Sequence, residues 1–304
     1  MESAQDKKIK VLYIGGWGRS GSTILGKILG QTDGFFLSGE TRFFWKRGLL
    51  ENWYCGCGLP FHECFTWQEI VRQTAFDKED VEQMLLFIDR LKAKSLFFKA
   101  GLMREIILSG AFGQLTNLYT SMTGVTGARV IVDTSKHPGY AWMLNQTPGL
   151  EIYLLHLVRD PRGVANSWAK KNLDTRGNRS TMAHYNFFQS TRQWLAWNML
   201  YENIKTDFPE RYLFMRYEDF VQRPQAHLAH IFEFLGEPNQ HLINDQKDTF
   251  LKPTHTLSGN YNRFETGIVR LTPDDDWIRN MNKYHKSIIS LLAFPLMLKY
   301  HYKF

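Results

Sequence analysis

The run GGWGRSGSTILGKIL, from Gly15 to Leu29, follows directly on the apolar run KVLYIG and carries the residue types that hold an anion. Gly15, Gly16, Gly18 and Gly21 let the backbone turn tightly. The amides of Arg19, Ser20, Gly21, Ser22 and Thr23 can then converge on a negative charge at the positive end of a helix. Against the nucleotide-binding pattern G-x-x-x-x-G-K-[ST], Gly16, Gly21 and Thr23 agree, but Ser22 stands where a lysine would reach the β- and γ-phosphates of a triphosphate. A triphosphate is therefore the poorer ligand, and the loop's own positive charge is Arg19.

A second anion site is written in LVRDPRGVANSW. Arg159 follows an apolar run and Ser167 lies further along the next helix, so a guanidinium and a hydroxyl can grip one anion between them. Asp160-Pro161 reads as a helix start, with Asp160 as the cap and Pro161 at the first helical position; Arg162 is open between a surface and a ligand role. VIVDTSKHPGY offers Lys136 and His137 at another strand end, with His137 either a base or a surface residue before Pro138. Asp133 in the same run resembles the acid that closes a magnesium-binding strand in nucleotide triphosphatases. Glu40, in SGETRFFW, reads on its own as an acid stabilised at a helix start. CGCGLPFHEC gathers the chain's three cysteines, Cys55, Cys57 and Cys64, with His62. The count would suit zinc, but the spacing is not that of a standard finger, so a structural turn is the expectation.

The strands that must position these groups are short and rich in β-formers: KVLYIG ending at Gly15, GFFLS around Phe36, ARVIVD ending at Asp133, EIYLLHLV ending at Val158 and RYLFMRY ending at Tyr217. Most are continuously apolar, the pattern of strands covered on both faces, and helical segments separate them. The expected architecture is α/β: a three-layer P-loop-like fold with a central parallel sheet flanked by helices, one domain over residues 1–304. A helical insertion, about residues 41–125, is expected over the functional edge, and a polar loop with terminal helices from Phe250. His156, inside an apolar strand, reads as a hydrogen-bonded core histidine.

At 304 residues and 43% hydrophobic content the chain can bury a substantial core. Its formal charge of +7 is compatible with anionic ligands. The basic residues form no run or known module, which argues against nucleic acid. SIISLLAFPLML is too short to span a bilayer and contains Pro295, so it reads as a core helix. The polar start resembles no signal peptide, and clustered cysteines without a disulfide framework point to the cytoplasm.

The pair GRSGSTILGKIL and VRDPRGVANSW resembles the two cofactor motifs of the sulfotransferases that use 3′-phosphoadenosine 5′-phosphosulfate (PAPS), and the spacing from Arg159 to Ser167 agrees. The resemblance implies that Gly18, Arg19, Ser20, Gly21, Ser22 and Thr23 cradle the 5′-phosphosulfate, while Arg159 and Ser167 grip the 3′-phosphate. SGETRFFW is similar to the acidic motif of tyrosylprotein and several bacterial sulfotransferases, which makes Glu40 the implied base. RYEDF implies Tyr217 near the adenine, and SGNYNRFE implies Gly259, Asn260 and Arg263 as the C-terminal cofactor loop. Lys136 is then expected beside the departing phosphate.

The reaction so implied moves a sulfonate from PAPS to a hydroxyl, or less readily an amine, of a small-molecule acceptor. It leaves adenosine 3′,5′-bisphosphate (PAP) and requires no metal. Positioning and charge stabilisation carry such chemistry. Aromatic residues at Phe43, Phe44, Trp45, Trp53 and Tyr54, and at Tyr185, Phe187, Phe188, Trp194 and Trp197, are mostly core with some lining an acceptor pocket. The competing reading is an ATP-dependent small-molecule kinase of the P-loop class, supported by the loop and Asp133 and opposed by Ser22; a third is a catalytically silent nucleotide-binding protein.

Overall fold

The structure, a computed structural model, describes residues 8–91, 99–170 and 184–304. Strands β1 (Ile9–Gly15), β2 (Phe35–Gly39), β3 (Val130–Lys136), β4 (Leu150–Val158) and β5 (Tyr212–Arg216) pair in parallel in the order β2-β3-β1-β4-β5. All five expected strands are present. The chain leaves β1 towards β3 and β2, and leaves β4 towards β5. The loops after these two neighbours therefore part, opening a crevice beyond their carboxyl ends, where ligands of open parallel sheets bind.

Side chains alternate across the sheet, and both faces of β1 are buried. Val11 and Tyr13 join a cluster that includes Leu115 and Leu118 of α5 (Ala111–Thr126), Tyr140 and Leu144 of α6 (Pro138–Gln146), and Leu200 and Ile204 of α8 (Phe187–Ile204). Leu12 and Ile14 pack instead with Leu25 and Ile28 of α1 (Ser22–Leu29) and with Leu228 and Ile231 of α10 (Pro224–Leu235). Each buried aliphatic side chain contributes about 1.5–3 kcal/mol, which explains why the strands read as unbroken apolar runs. His156 of β4 is the core histidine expected: Nδ1 and Tyr212 Oη are 2.7 Å apart, Nε2 and Asn198 Oδ1 2.8 Å. Burial pushes its ring down to about 4.

The segment between β2 and β3 divides into two parts. Thr41–Phe43 is a tight helical turn and Phe44–Leu50 a wide one, and several of their side chains face the crevice. Beyond them, α2 (Phe65–Thr74), α3 (Lys78–Arg90), α4 (Lys99–Leu108) and α5 share the core cluster of Val11 and Tyr13, with α5 against β1 and β3 and the other three packed on α5. α7 (Pro161–Ala169) follows β4, and α9 (Tyr217–Gln222) follows β5.

Two expectations for the C-terminal region need correction. The polar loop from Phe250 is bracketed by an antiparallel pair, β6 (Asp248–Leu251) and β7 (Gly267–Arg270), each too short to show an alternating pattern. After α11 (Asp276–Asn280), α12 (Lys283–Lys299) is only half a core helix. Ile289, Ala293 and Met297 are buried, whereas Leu291, Phe294 and Leu298 are exposed, because four-residue spacing turns them to the opposite side. No helix among the described residues is long and apolar enough to cross a membrane.

Asp133 is fully enclosed: Tyr119 Oη donates to Oδ2 at 2.5 Å and the Ser135 amide to Oδ1 at 2.7 Å. Burial pushes its carboxyl up to about 6 despite these bonds. Unfolding returns it to the ordinary value of about 3.9, so native Asp133 binds more protons and its contribution to stability falls as pH rises between the two. Asp133→Asn removes that titration, with a constant offset because the asparagine Oδ1 can still accept from the Ser135 amide while its NH2 replaces the oxygen that accepts from Tyr119. Chemical denaturation of both proteins from pH 3.5 to 7 should show the wild-type-minus-variant stability falling by on the order of 2–3 kcal/mol and then levelling off. A pH-independent difference would contradict the assignment.

Candidate active site

The loop after β1 takes a shape that its glycines make possible. Gly16 has φ 124°, and a Cβ there would lie 2.2 Å from the Leu157 carbonyl oxygen; Gly21 has φ 88°, and its Cβ would lie 2.4 Å from the Tyr217 ring. Arg19 adopts φ 70° without being glycine, the kind of local strain that persists where the surroundings enforce it. Ser20 turns inward and donates to the Trp17 carbonyl at 2.8 Å, closing the loop. The α1 helix then starts at Ser22 with no acidic residue in its first turn. Its first amides have no partner within the helix, and with the dipole they place partial positive charge where the sequence suggested an anion cradle. The Arg19 guanidinium rests 4.8 Å from the Trp168 ring centroid.

Across the crevice, Arg159 leaves β4 buried. It donates to the Arg19 carbonyl at 3.1 Å and the Asp274 carbonyl at 2.9 Å, pairs with the Asp274 carboxylate at 2.9 Å, and lies 4.8 Å from the centroid of the Tyr217 ring. One guanidinium thus joins both anion loops, with Ser167 on the same wall. Asp160 caps α7 as expected, accepting from the Arg162 amide at 2.8 Å. It also takes the Arg162 guanidinium, at 3.0 Å and 2.7 Å, so Arg162 is buried away from the crevice.

Glu40 lies just beyond β2 and is buried, with three partners from three parts of the chain. Lys136 Nζ donates to Oε1 at 2.5 Å, while Ser258 Oγ donates to Oε2 at 3.1 Å and Arg47 approaches Oε2 at 3.4 Å. Arg47 also donates to Ser258 Oγ. Burial alone would raise the Glu40 carboxyl, but the charges of Lys136 and Arg47 and the hydrogen bonds from Lys136 and Ser258 outweigh it and hold the group below the ordinary carboxylate range. Lys136 itself has φ 63° and donates to the Thr134 carbonyl at 2.7 Å, while its own carbonyl accepts from Trp197 at 3.0 Å and Tyr201 at 2.9 Å.

These groups surround a cleft of about 1050 Å³. Gly18, Arg19, Gly21, Ser22, Thr23, Glu40, Lys136, Arg159, Ser167, Tyr217, Gly259 and Asn260, all expected from sequence, line it. So do Phe43, Trp53, Tyr185 and Trp197 from the aromatic groups, whereas Phe44, Trp45 and Trp194 are core. Ser20, His137 and Arg263 are not among the lining residues. His137 is neither on the surface nor on the cleft wall: it is buried, and Nδ1 accepts from the Tyr140 amide at 3.2 Å as the cap of α6. Arg263 is buried within the C-terminal loop, donating to the Gly259 carbonyl at 2.9 Å. Asp133 is walled off behind Tyr119 and does not line the cleft, which removes the support it lent to a kinase.

Sequence reading missed Arg47, Ser258, Asp274 and Lys27. Lys27, on α1, is almost wholly buried; Nζ donates to the Arg263 carbonyl at 3.1 Å and to the Glu265 carbonyl, so it fastens the C-terminal loop to the phosphate-loop helix. Burial lowers its ammonium to about 8. The glycine-rich pattern drew attention to the loop and away from the helix interior, where a lysine is normally solvated.

The sulfotransferase family profile matches residues 12–241. Solved structures that match over almost the whole chain include two sulfotransferase domains. The sulfotransferase domain from the curacin biosynthetic pathway is 18% identical over 98% of this chain and 99% of that domain, with a TM-score of 0.53. The sulfotransferase domain of the Synechococcus PCC 7002 olefin synthase is 17% identical over 100% and 98%, with a TM-score of 0.51. At these identities the likeness shows the fold, the P-loop-like α/β arrangement expected. No curated protein sequence matches significantly. With the family match spanning most of the chain and both cofactor motifs on one cleft, the protein belongs to the sulfotransferase family and is a PAPS-dependent sulfotransferase.

If Lys27 holds the C-terminal loop in place for the nucleotide, Lys27→Met should weaken PAP binding roughly tenfold, about 1.4 kcal/mol. In the wild type alone, PAP affinity should also decline as pH rises through about 8, where buried Lys27 loses its proton. Calorimetry across pH 6.5–9, with circular dichroism to confirm folding, reads both effects. Unchanged affinity in a folded variant would contradict the clamp.

Proposed function

We propose that the protein transfers the sulfonate of PAPS to a hydroxyl of a small-molecule acceptor, with Glu40 as the base and Lys136 on the leaving-group side. The observation that carries this reading is the Lys136–Glu40 pair, 2.5 Å apart and lining the same cleft as the loop amides. The cleft fits a donor with two anionic ends. The amides of Arg19 to Thr23 would take the phosphosulfate, Arg159 and Ser167 would take the 3′-phosphate with Gly259 and Asn260 closing over it, Arg263 would brace that loop from within through the Gly259 carbonyl, and Tyr217 would flank the adenine. The helix N-terminus, the buried guanidinium and the adjacent ring supply the chemistry each part needs.

In the transfer, the acceptor oxygen forms a bond to sulfur as the bond from sulfur to the 5′-phosphate oxygen breaks. The acceptor proton passes to Glu40, and PAP leaves. At rest Glu40 shares Lys136 and is a weak base. Charge developing on the leaving phosphate draws Lys136 away, which raises the basicity of Glu40 as the proton must move. A late transfer of this kind suits a hydroxyl whose acidity grows as it bonds to sulfur, which is why we favour it over an amine.

Phe43, Trp53, Tyr185 and Trp197 offer the acceptor an aromatic wall, and its cationic side includes Arg42, Lys46 and Arg47. We infer a single catalytic domain, because the helices between β2 and β3 share the core of the sheet. We place it in the cytoplasm, where its free thiols persist.

Glu40→Gln keeps the shape and removes the basicity, so turnover should fall by roughly 10²–10⁴ while PAP affinity changes little. Mass spectrometry of sulfonated product from a panel of hydroxyl acceptors, without added magnesium, measures this. The pH profile gives a second check. A base works only when deprotonated, so the acid limb of kcat/KM, which reports the free enzyme, should lie below the ordinary carboxylate range in the wild type. In Lys136→Ala, which should also slow turnover, that limb should move to higher pH because burial then acts on Glu40 with less opposition. A folded Glu40→Gln enzyme with near-normal turnover, or an acid limb unmoved in Lys136→Ala, would sink the assignment.

A further inference from the structure

Away from the cleft, the chain's three cysteines meet a histidine that lies far from them in sequence. The Sγ atoms of Cys55, Cys57 and Cys64 and a ring nitrogen of His255 all lie within 4.8 Å of one another. His255 Nδ1 is 3.2 Å from Cys64 Sγ and 3.9 Å from Cys55 Sγ. A tetrahedral zinc ion, with Zn–S near 2.3 Å and Zn–N near 2.0–2.1 Å, needs its ligand atoms roughly 3.4–3.8 Å apart, so the ion fits after small side-chain shifts. The three cysteines are free thiols, Cys55 and Cys64 are buried, and Cys57 and His255 are half-buried. We infer that Cys55, Cys57, Cys64 and His255 bind one zinc ion.

The backbone around the four groups is built to hold them. The turn carrying Cys55 and Cys57 is closed by Cys55 N to Leu59 O at 2.8 Å and Gly58 N to Cys55 O at 2.9 Å, with Gly58 at φ 91°. Both thiols of the C-x-C pair therefore face the same side. Cys64 is set by its amide on the Pro60 carbonyl at 3.1 Å, immediately before α2. The His255 carbonyl accepts from Trp67 Nε1 at 2.8 Å, which fixes the backbone behind the ring. Three sulfurs and a ring nitrogen converging on one point give a soft donor set, which thiolate and imidazole chemistry directs to zinc. Four protein ligands leave no open position, the mark of an architectural rather than a catalytic ion. His62, the nearest histidine in sequence, is exposed and lies 3.0 Å from the Leu49 carbonyl instead.

The ion would fasten two segments that both lead to the transfer point. Gly56 donates to Thr256 O at 2.9 Å, Leu257 donates to Ser38 O at 2.9 Å, and the Glu40 amide donates to Leu257 O at 2.8 Å. The next residue, Ser258, is the one that hydrogen-bonds the Glu40 carboxylate. None of the four zinc ligands lines the cleft, so the metal takes no part in transfer itself.

The test is the metal content of the full chain purified under reducing conditions without added metal. The wild type should carry about one zinc per chain by plasma mass spectrometry. His255→Ala and Cys64→Ser should fall to background, whereas His62→Ala should keep its zinc. Because the variants could fail to fold, the reduced, metal-free wild type is also titrated with cobalt(II). Thiolate-to-cobalt charge transfer and tetrahedral ligand-field bands should appear and saturate at about one equivalent. Wild-type zinc below about a tenth of an equivalent, with no such cobalt bands, would overturn the inference. Loss of zinc in His62→Ala with retention in His255→Ala would overturn the ligand set.

Discussion

A carboxylate cannot be buried alone, and the arrangement of this protein's active site follows from how Glu40 meets that constraint. Removing an unpaired charge from water costs several kcal/mol, so Glu40 can stay ionised only with Lys136, Arg47 and Ser258 around it. Those partners come from the end of β3, the wide helical turn after β2, and the segment before the C-terminal loop. Satisfying one charge therefore fixes three elements at the rim of one cleft. Lys136 is held there in a left-handed conformation, its carbonyl gripped by Trp197 and Tyr201, a strain that rigid surroundings must offset.

The sheet supplies the other half of the arrangement. β1 and β4 are neighbours whose following loops diverge, so the glycine loop and Arg159 face each other without any special device. Arg159 then ties them, donating to the backbone of Arg19 while pairing with Asp274. Lys27 performs the corresponding task on the other side, holding the C-terminal loop to α1 through main-chain carbonyls. The glycine loop and the C-terminal loop are thus each positioned by a buried cation spanning distant parts of the chain.

This division explains what the sequence revealed. The five core strands were legible because burial on both faces leaves an unbroken apolar signature, and Gly16, Gly21 and Arg159 because loop and strand-end chemistry is local. Two of the three partners of Glu40, Arg47 and Ser258, were not legible. Arg47 reaches Glu40 from a wide helical turn that follows a tight one, and Ser258 reaches it from the far end of the chain. His137, next to Lys136, shows the converse: proximity in sequence suggested a base, but its ring is spent capping α6. His255 illustrates the same limit, since no spacing rule links it to Cys55, Cys57 and Cys64, while the adjacent His62 points elsewhere. The β6–β7 pair was hidden because four residues per strand are too few to establish a pattern.

The account rests on the cleft being built for a donor with an anion at each end and no γ-phosphate, and calorimetric titration of PAP, ADP and ATP measures that most directly. With no divalent metal added, PAP should bind at least about tenfold more tightly than ADP, because only PAP carries the 3′-phosphate that the proposed binding mode gives to Arg159 and Ser167. Equal affinities for PAP and ADP, or tight binding confined to ATP with magnesium, would contradict it.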